Sequence, residues 1–257
     1  MTAGSNVRVE LRERVMCIAL ERLDKKNALT QDMYRAMLDA IRRADADPQA
    51  RAILLHGAKD CFTAGNDLKD FLDRSADAGP RASFEFISAL PAVAKPLVAA
   101  VGGPAVGVGT TLLLHCDLVY ASPAARFQMP FVPLGLVPEA GSSLLLPAIA
   151  GYQRAAELLL LGQPFGAEKA LAAGIVTEVV PEDRLIEHAM AAAKAVAALP
   201  PASVRLTKQL MKRASAAAVR AQIEEEGRVF GERLQSAEAK EAMTAFFEKR
   251  KPDFSRF

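Results

Sequence analysis

The chain has 257 residues, 51% hydrophobic and 24% charged, with a formal net charge of +2 at pH 7. That length can bury a substantial core in one large domain, and the interspersed acids and bases leave no basic stripe for nucleic acid and no polybasic run for a membrane surface. No uninterrupted apolar run is long enough to span a bilayer, and the opening "MTAGSNVRVELRERV" lacks the apolar stretch of a signal peptide.

Residues 7 to 20, "VRVELRERVMCIAL", alternate apolar and other side chains around Glu13-Arg14, which predicts a hairpin-like strand pair. Next, "TQDMYRAMLDAIRRADAD" predicts an amphipathic helix. Thr30 suits its N-cap, Met33, Met37 and Ile41 recur every four residues, and Pro48 lies beyond its end. Short apolar strands follow at Ala52–Leu55, Leu97–Val101, Leu118–Tyr120 and Val176–Val180. Glycine-bearing loops and helices between them give the alternation of an α/β fold. From Pro181 the strands stop, and helix-like stretches punctuated at Pro200-Pro201 carry apolar faces suited to packing on another subunit. The expected organisation is an α/β core over residues 1–200 and a helical segment over 201–257. Cys17, Cys61 and Cys116 are widely spaced, and His56, His115 and His188 lack metal-ligand spacing. Free thiols, no metal and a cytoplasmic location are expected, with His115 a helix packing residue.

One local design occurs three times: a strand, a glycine loop, then a helix. The helices are expected to start near Gly65-Asn66, near Val108-Gly109, and at Pro138, a residue suited to the first helical position. A helix N-terminus presents unpaired N–H groups and the positive end of the helix dipole, and glycine lets a ligand approach closely. Two such ends aimed at one point make an oxyanion hole; tight strand-to-helix turns are the plainer alternative. "GGPAVGVGTT" lacks the Gly-Lys-Ser/Thr ending of a P-loop, and "GVGTTL" lacks the third glycine of the dinucleotide fingerprint. Kinase, NTPase and dehydrogenase chemistry is therefore disfavoured. The third loop, "LGLVPEAGSSLLLP", holds Glu139, the one charged residue between Arg126 and Arg154. Desolvation disfavours its ionised form and a helix N-terminus favours it, so the residues alone leave its protonation open. Ser142 and Ser143 lie nearby, but no histidine stands in a context that suggests a triad.

Six segments in order carry a family resemblance: "ERLDKKNALT", "DPQARAILLHGAKDCFTAGNDLKDF", "KPLVAAVGGPAVGVGTTLLLHCDLVYAS", "ARFQMPFVPLGLVPEAGSSLLLPAIAG", "AAGIVTEVVP" and "FFEKRKPDF". Together, from near residue 10 to the C-terminus, the chain resembles the crotonase (enoyl-CoA hydratase/isomerase) superfamily. The resemblance implies a crotonase-type spiral of ββα units with C-terminal helices that build homotrimers, often paired into hexamers. It implies an acyl-CoA thioester substrate whose coenzyme A is part of the substrate, with no separate cofactor. It places the oxyanion donors at the backbone N–H groups of Asn66 and Val108, the latter between Gly107 and Gly109 where the family usually carries glycine.

The hydratases of that family use two glutamates, and the matching positions here are Thr111 and Phe131, neither able to act as acid or base. Instead, "LGLVPEAGSS" and "GNDLKDF" resemble the monofunctional Δ3,Δ2-enoyl-CoA isomerases of the peroxisomal type, in which the residue matching Glu139 is the single acid/base. The reaction so implied is a 1,3 proton shift turning a 3-enoyl-CoA into a 2-enoyl-CoA. Lys25 and Lys26 are implied near the CoA phosphates, with Lys69, Lys249, Arg250 and Lys251 as further candidates. The Ala64-Gly65-Asn66-Asp67-Leu68 backbone is implied as an adenine and thioester contact; Asp67 reads mainly as a helix cap, and Phe131, Leu134 and Leu136 read as acyl-pocket residues or equally as core. Two alternatives stand beside this reading: a hydratase or other crotonase-type lyase using Glu139 with a bound water, and a non-catalytic acyl-CoA-binding or scaffold protein.

Overall fold

The structure, a computed structural model, describes residues 6–58, 60–67 and 81–257. Strands β1 (Val7–Arg12) and β2 (Val15–Leu20) pair antiparallel with Val7 opposite Leu20. Between them Glu13 and Arg14 both take positive φ, 46° and 69°, the pair of left-handed residues that fits a two-residue turn to the twist of its strands. Helix α1 (Gln31–Ala46) begins where the Thr30 side chain accepts the Met33 N–H, and it buries Met33, Met37 and Ile41.

Parallel strands β3 (Ala52–His56), β4 (Leu97–Val101), β6 (Leu118–Ala121) and β9 (Glu178–Val179) then extend the sheet in the order β1-β2-β3-β4-β6-β9. A smaller sheet holds β5 (Pro104–Val106), β7 (Arg126–Gln128) and β8 (Phe165–Gly166), and parallel bridges Leu29–Asn66 and Thr63–Ala105 prolong it. Each turn of chain thus gives a strand to the large sheet, a strand or bridge to the small one, and then helix: a spiral of ββα units. Among the described residues the helices of this part are α2 (Ala82–Ala89), α3 (Val108–Thr111), α4 (Ser142–Ala150), α5 (Tyr152–Ala156) and α6 (Ala167–Ala172).

The large sheet is covered on both faces, which is why its strands read as apolar runs. Side chains alternate along a strand. Val15, Cys17, Ala52, Leu54, Val98 and Ala100 therefore face α7 (Leu185–Ala198), whose Leu185, Ala189, Ala193 and Ala197 recur every four residues. Met16, Ile18, Ile53, Leu55, Leu97 and Ala99 point the other way, into the main core with α1. Helix α8 (Pro201–Arg213) is tied down by Lys208, 5% exposed, whose Nζ reaches Asp117 Oδ2 at 2.6 Å and the Lys95 carbonyl at 2.7 Å. Leu206, Leu210 and Met211 on the same helix are exposed. Helices α9 (Ala216–Arg233) and α10 (Ala237–Phe247) return over the glycine loops, α9 against α2 and α4, α10 against the turn at Val132–Leu134. Among the described residues no helix is long and apolar enough to cross a membrane.

Candidate active site

The first glycine loop is built from underneath. Buried Asn27 receives the Arg22 N–H on Oδ1 at 2.7 Å and donates through Nδ2 to the carbonyls of Cys61 and Phe62 at 3.3 and 3.0 Å. The Thr63 hydroxyl donates to the Asn27 carbonyl at 2.6 Å and accepts the Gly65 N–H at 3.1 Å. Gly65 has φ +88°, and a Cβ there would stand 2.7 Å from the Val106 carbonyl oxygen, so only glycine fits. The Leu29–Asn66 bridge follows, with the Leu29 N–H to the Gly65 carbonyl and the Asp67 N–H to the Leu29 carbonyl. Bridge pairing takes Asn66 itself, and the helix expected to start near Gly65-Asn66 falls on residues 68–80, outside the described residues. The Asn66 amide N–H, lying between those two bonds, donates to no acceptor among the described residues, and the Tyr34 hydroxyl fixes its side chain, 2.5 Å from Oδ1.

At the second loop Gly107 has φ 57° and ψ −119°, the first central position of a II′ turn, which demands glycine. Its carbonyl takes the N–H groups of Thr110 and Thr111, and its own N–H goes to Gln128. Val108 opens α3 as expected, so its N–H is one of those a helix start leaves free. The Val108 side chain, 1% exposed, packs in the core, so the substitution of valine for the family's usual glycine puts its bulk away from the amide.

Asn66 and Val108 line one cavity of about 590 Å³, with Ala64, Gly65, Gly107, Phe131 and Leu136 in the same wall and Lys25 and Asp67 also lining it. Lys26 does not line it; its side chain is exposed and its carbonyl accepts the Ala64 N–H. Asp67 pairs with Arg22 at 2.7 Å, and the helix it was expected to cap, with Leu68 and Lys69, lies outside the described residues. Arg250 is held by Glu241 and Glu248, both at 2.5–2.6 Å. The sequence gives no local sign that α9 and α10 supply Phe230, Met243, Phe246 and Phe247 to this wall, since those residues lie 94 or more positions further along the chain and meet it only through the fold.

Glu139 stands in the third loop, and here the expected helix start is corrected. Helix α4 begins at Ser142, four residues after Pro138, because Ala140 and Gly141 take φ +61° and +70° and turn the chain before it can coil. That turn is clamped. Buried His115 donates through Nε2 to the Ala140 carbonyl at 2.7 Å, so this residue does more than pack a helix. Glu226, on α9 and 5% exposed, accepts the Gly141 N–H at 2.6 Å, the Ser143 N–H at 2.9 Å and the Ser143 hydroxyl at 2.5 Å.

The Glu139 carboxyl has no such partners: its Oε1 is buried without a hydrogen bond. The residue as a whole is half-buried, because it forms part of the wall of a second cavity of about 290 Å³ with Phe84, Ile87 and Ile223. Burial raises its pKa to about 8, the charge of Glu226 adds to the rise, and the Thr111 hydroxyl beside it works the other way. The helix dipole left open by the sequence does not prevail, because Glu226 takes the free amides at the start of α4. Thr111 follows Val108 by one turn on α3, so the hydroxyl that acts on the acid and that amide belong to one short helix. The amides and Glu139 nevertheless line different cavities, and Phe230, edge-on to Phe131 at 6.5 Å between ring centres, lines both. Asn66 and Val108, each with a free backbone N–H, thus share the first cavity, and a protonatable carboxyl borders the second, whose wall also holds Arg81, Ser83 and Gln235.

A model of the enoyl-CoA hydratase/isomerase family matches residues 10–256. The enoyl-CoA delta isomerase 2 of Rattus norvegicus is 39% identical over 235 residues, which cover 89% of this chain and 60% of that protein. A probable enoyl-CoA hydratase of Mycobacterium tuberculosis is 34% identical over 248 residues, 96% of either chain. The crystal structure of an enoyl-CoA hydratase/isomerase from Pseudoalteromonas atlantica superposes with a TM-score of 0.94 at 46% identity, covering 97% of this chain and all of that one. With the ββα spiral and its paired glycine loops, these likenesses agree: the chain is a crotonase-fold enzyme and belongs to the enoyl-CoA hydratase/isomerase family.

Proposed function

We propose that the protein is a Δ3,Δ2-enoyl-CoA isomerase with Glu139 as its single acid/base. The observation that carries this reading is a buried carboxyl without a hydrogen-bond partner on Oε1, its pKa raised to about 8, beside Thr111 of the helix that Val108 opens. A group that titrates near the working pH can both take and return a proton.

As an anion, Glu139 removes a proton from C2 of the 3-enoyl thioester. The C2–H bonding pair forms the C2–C1 double bond of a dienolate, and the charge on its oxygen is held by the N–H groups of Asn66 and Val108. The protonated Glu139 then delivers that proton to C4, the double bond settles between C2 and C3, and no atom is gained or lost. The coenzyme A moiety enters along the larger cavity, with Lys25 at its wall and no cofactor of the protein's own, and the acyl tail runs past Phe230 into the smaller cavity beside Glu139, against its apolar residues Phe84, Ile87 and Ile223. Hydration would need one group to activate water and another to protonate carbon. Thr111 and Phe131, at the positions the family resemblance gives to those acids, supply neither, which favours isomerisation although hydratases stand among the relatives.

Conversion of 3-hexenoyl-CoA, followed at the enoyl absorbance, tests the proposal. Wild-type protein should isomerise it and leave crotonyl-CoA unhydrated; loss of the crotonyl band with no action on 3-hexenoyl-CoA would make the protein a hydratase. Binding of acyl-CoA with no turnover on either would make it a non-catalytic module. The exposed Leu206, Leu210 and Met211 on α8 support assembly as a homotrimer or hexamer, which light scattering on the purified chain measures.

A further inference from the structure

We propose that Glu226 is a positioning residue for this reaction: from α9 it binds the start of α4 through the Gly141 and Ser143 N–H groups, and so holds the Glu139 carboxyl in place with those donors denied to it. The proposal rests on the reading of Glu139 as the acid/base.

Three residues of α9 are buried, Val219, Ile223 and Glu226, and their spacing makes one seam along the helix. An apolar side chain would satisfy packing at the third place, and a carboxylate there costs free energy unless it is fully bonded. Glu226 is bonded three times, and Gln222 extends the network by donating to the Ser143 hydroxyl at 2.9 Å. The seam sits directly on the turn, since a Cβ at Gly141 would come within 3.3 Å of Ile223 and 3.6 Å of Val219. His115 holds the Ala140 carbonyl at 2.7 Å. The backbone on the C-terminal side of the reactive residue is therefore fixed at Ala140, Gly141 and Ser143, while the Glu139 carboxyl takes none of these bonds.

The network also divides the charge. Burial raises the pKa of Glu226, but the Ser143 and Gly141 donors pull it down, and Glu139 has none of those amides. Of two buried carboxyls whose surroundings differ in this way, Glu226 gives up its proton the more readily and Glu139 the less. The other ionisable groups near the turn are Arg81, in the wall of the same cavity as Glu139, and His115, kept neutral by burial with a pKa of about 4. Lys208 and Lys212 of α8 act on His115 from behind, and Glu85 of α2 is exposed.

The test is Glu226→Gln in the full chain, with urea unfolding to verify the fold. The plateau kcat on 3-hexenoyl-CoA should fall about 10-fold with KM within about twofold, because remote binding is untouched. The Glu139 carboxyl, read by carbon-13 NMR as the signal absent from Glu139→Gln, should titrate about one pH unit lower once its charged neighbour is gone. A folded Glu226→Gln protein in which that titration does not move overturns the positioning role. Turnover like wild type in Glu139→Gln ends the acid/base reading instead, so the two failures are separable. If Glu226→Gln does not fold, Ser143→Ala removes only the hydroxyl donor; the proposal expects a several-fold lower kcat at unchanged KM, and an unchanged kcat overturns it.

Discussion

Two turns face the proposed chemistry, and they are made in opposite ways. The Gly107–Val108 turn is local: one glycine at φ 57° and ψ −119° sets it, and the carbonyl of that glycine starts the helix. The Glu139–Ser143 turn is set from a distance, by His115 at its carbonyl and Glu226 at its amides, 25 and 85 residues away for the two bonds. The oxyanion donors need only a fixed direction, which short-range sterics supply. The acid needs a fixed place and a raised pKa, and both require removing it from water while satisfying the polar groups around it.

The largest break in this comparison is Glu139→Gln, which should lower isomerisation about 10³-fold while acyl-CoA binding, measured by calorimetry, stays near wild type. The same variant carries a stability prediction. The native pKa of Glu139 is about 8 against an ordinary value of 4.5, so between those two values the native state binds more protons than the unfolded chain. Stability therefore falls as pH rises through that window, and the cost is fully present above about pH 8. Glu139→Gln should remove that slope and be the more stable protein at pH 9, by on the order of a few kcal/mol in urea unfolding. Next in size is the local turn. Val108→Pro deletes the N–H at the first helical position, where proline is tolerated, and should cost about 10²-fold in kcat with the fold intact by circular dichroism. Wild-type turnover in Val108→Pro would remove that amide from the oxyanion site.

The same contrast decides what the sequence discloses. The hairpin, α1 and the buried strands follow from periodicity because each is specified by neighbours along the chain. Gly65, Gly107 and Val108 were legible for that reason, and Glu139 stood out as a lone charge in an apolar stretch. Its helix, however, was placed at Pro138, since nothing local reveals that Ala140 adopts a left-handed conformation; His115 and the α9 seam stabilise that state. Glu226 was invisible among the three consecutive glutamates of "IEEEG", of which only the fold shows one to be buried. The aromatic wall from α9 and α10 was hidden likewise, because distant helix faces meet the loops only in the folded chain.

The long-range clamp makes a smaller prediction. His115→Leu removes the donor to the Ala140 carbonyl and leaves a buried acceptor unpaired, a loss of about 1–3 kcal/mol in urea unfolding. It should also lower kcat about 10-fold, because the turn that carries Glu139 loses one of its two holds. Stability and kcat unchanged together would mean that Glu226 alone fixes the turn.

The smallest expected effect is the most specific. Thr111 occupies, by the family resemblance, the place of a hydratase acid, and its hydroxyl is the one group that works to lower the pKa of Glu139. Thr111→Val keeps the shape and removes that hydroxyl. The anion of Glu139 then loses a polar neighbour of favourable sign, so the acid limb of kcat/KM should move to higher pH by a fraction of a unit. The plateau should stay at the wild-type level, because the amides of Asn66 and Val108 are backbone groups that the substitution leaves in place. A limb that moves to lower pH, or a plateau that falls with it, would mean that Thr111 holds the substrate or a water rather than the acid, and the division between a locally built oxyanion turn and a remotely built acid turn would have to include α3 on both sides.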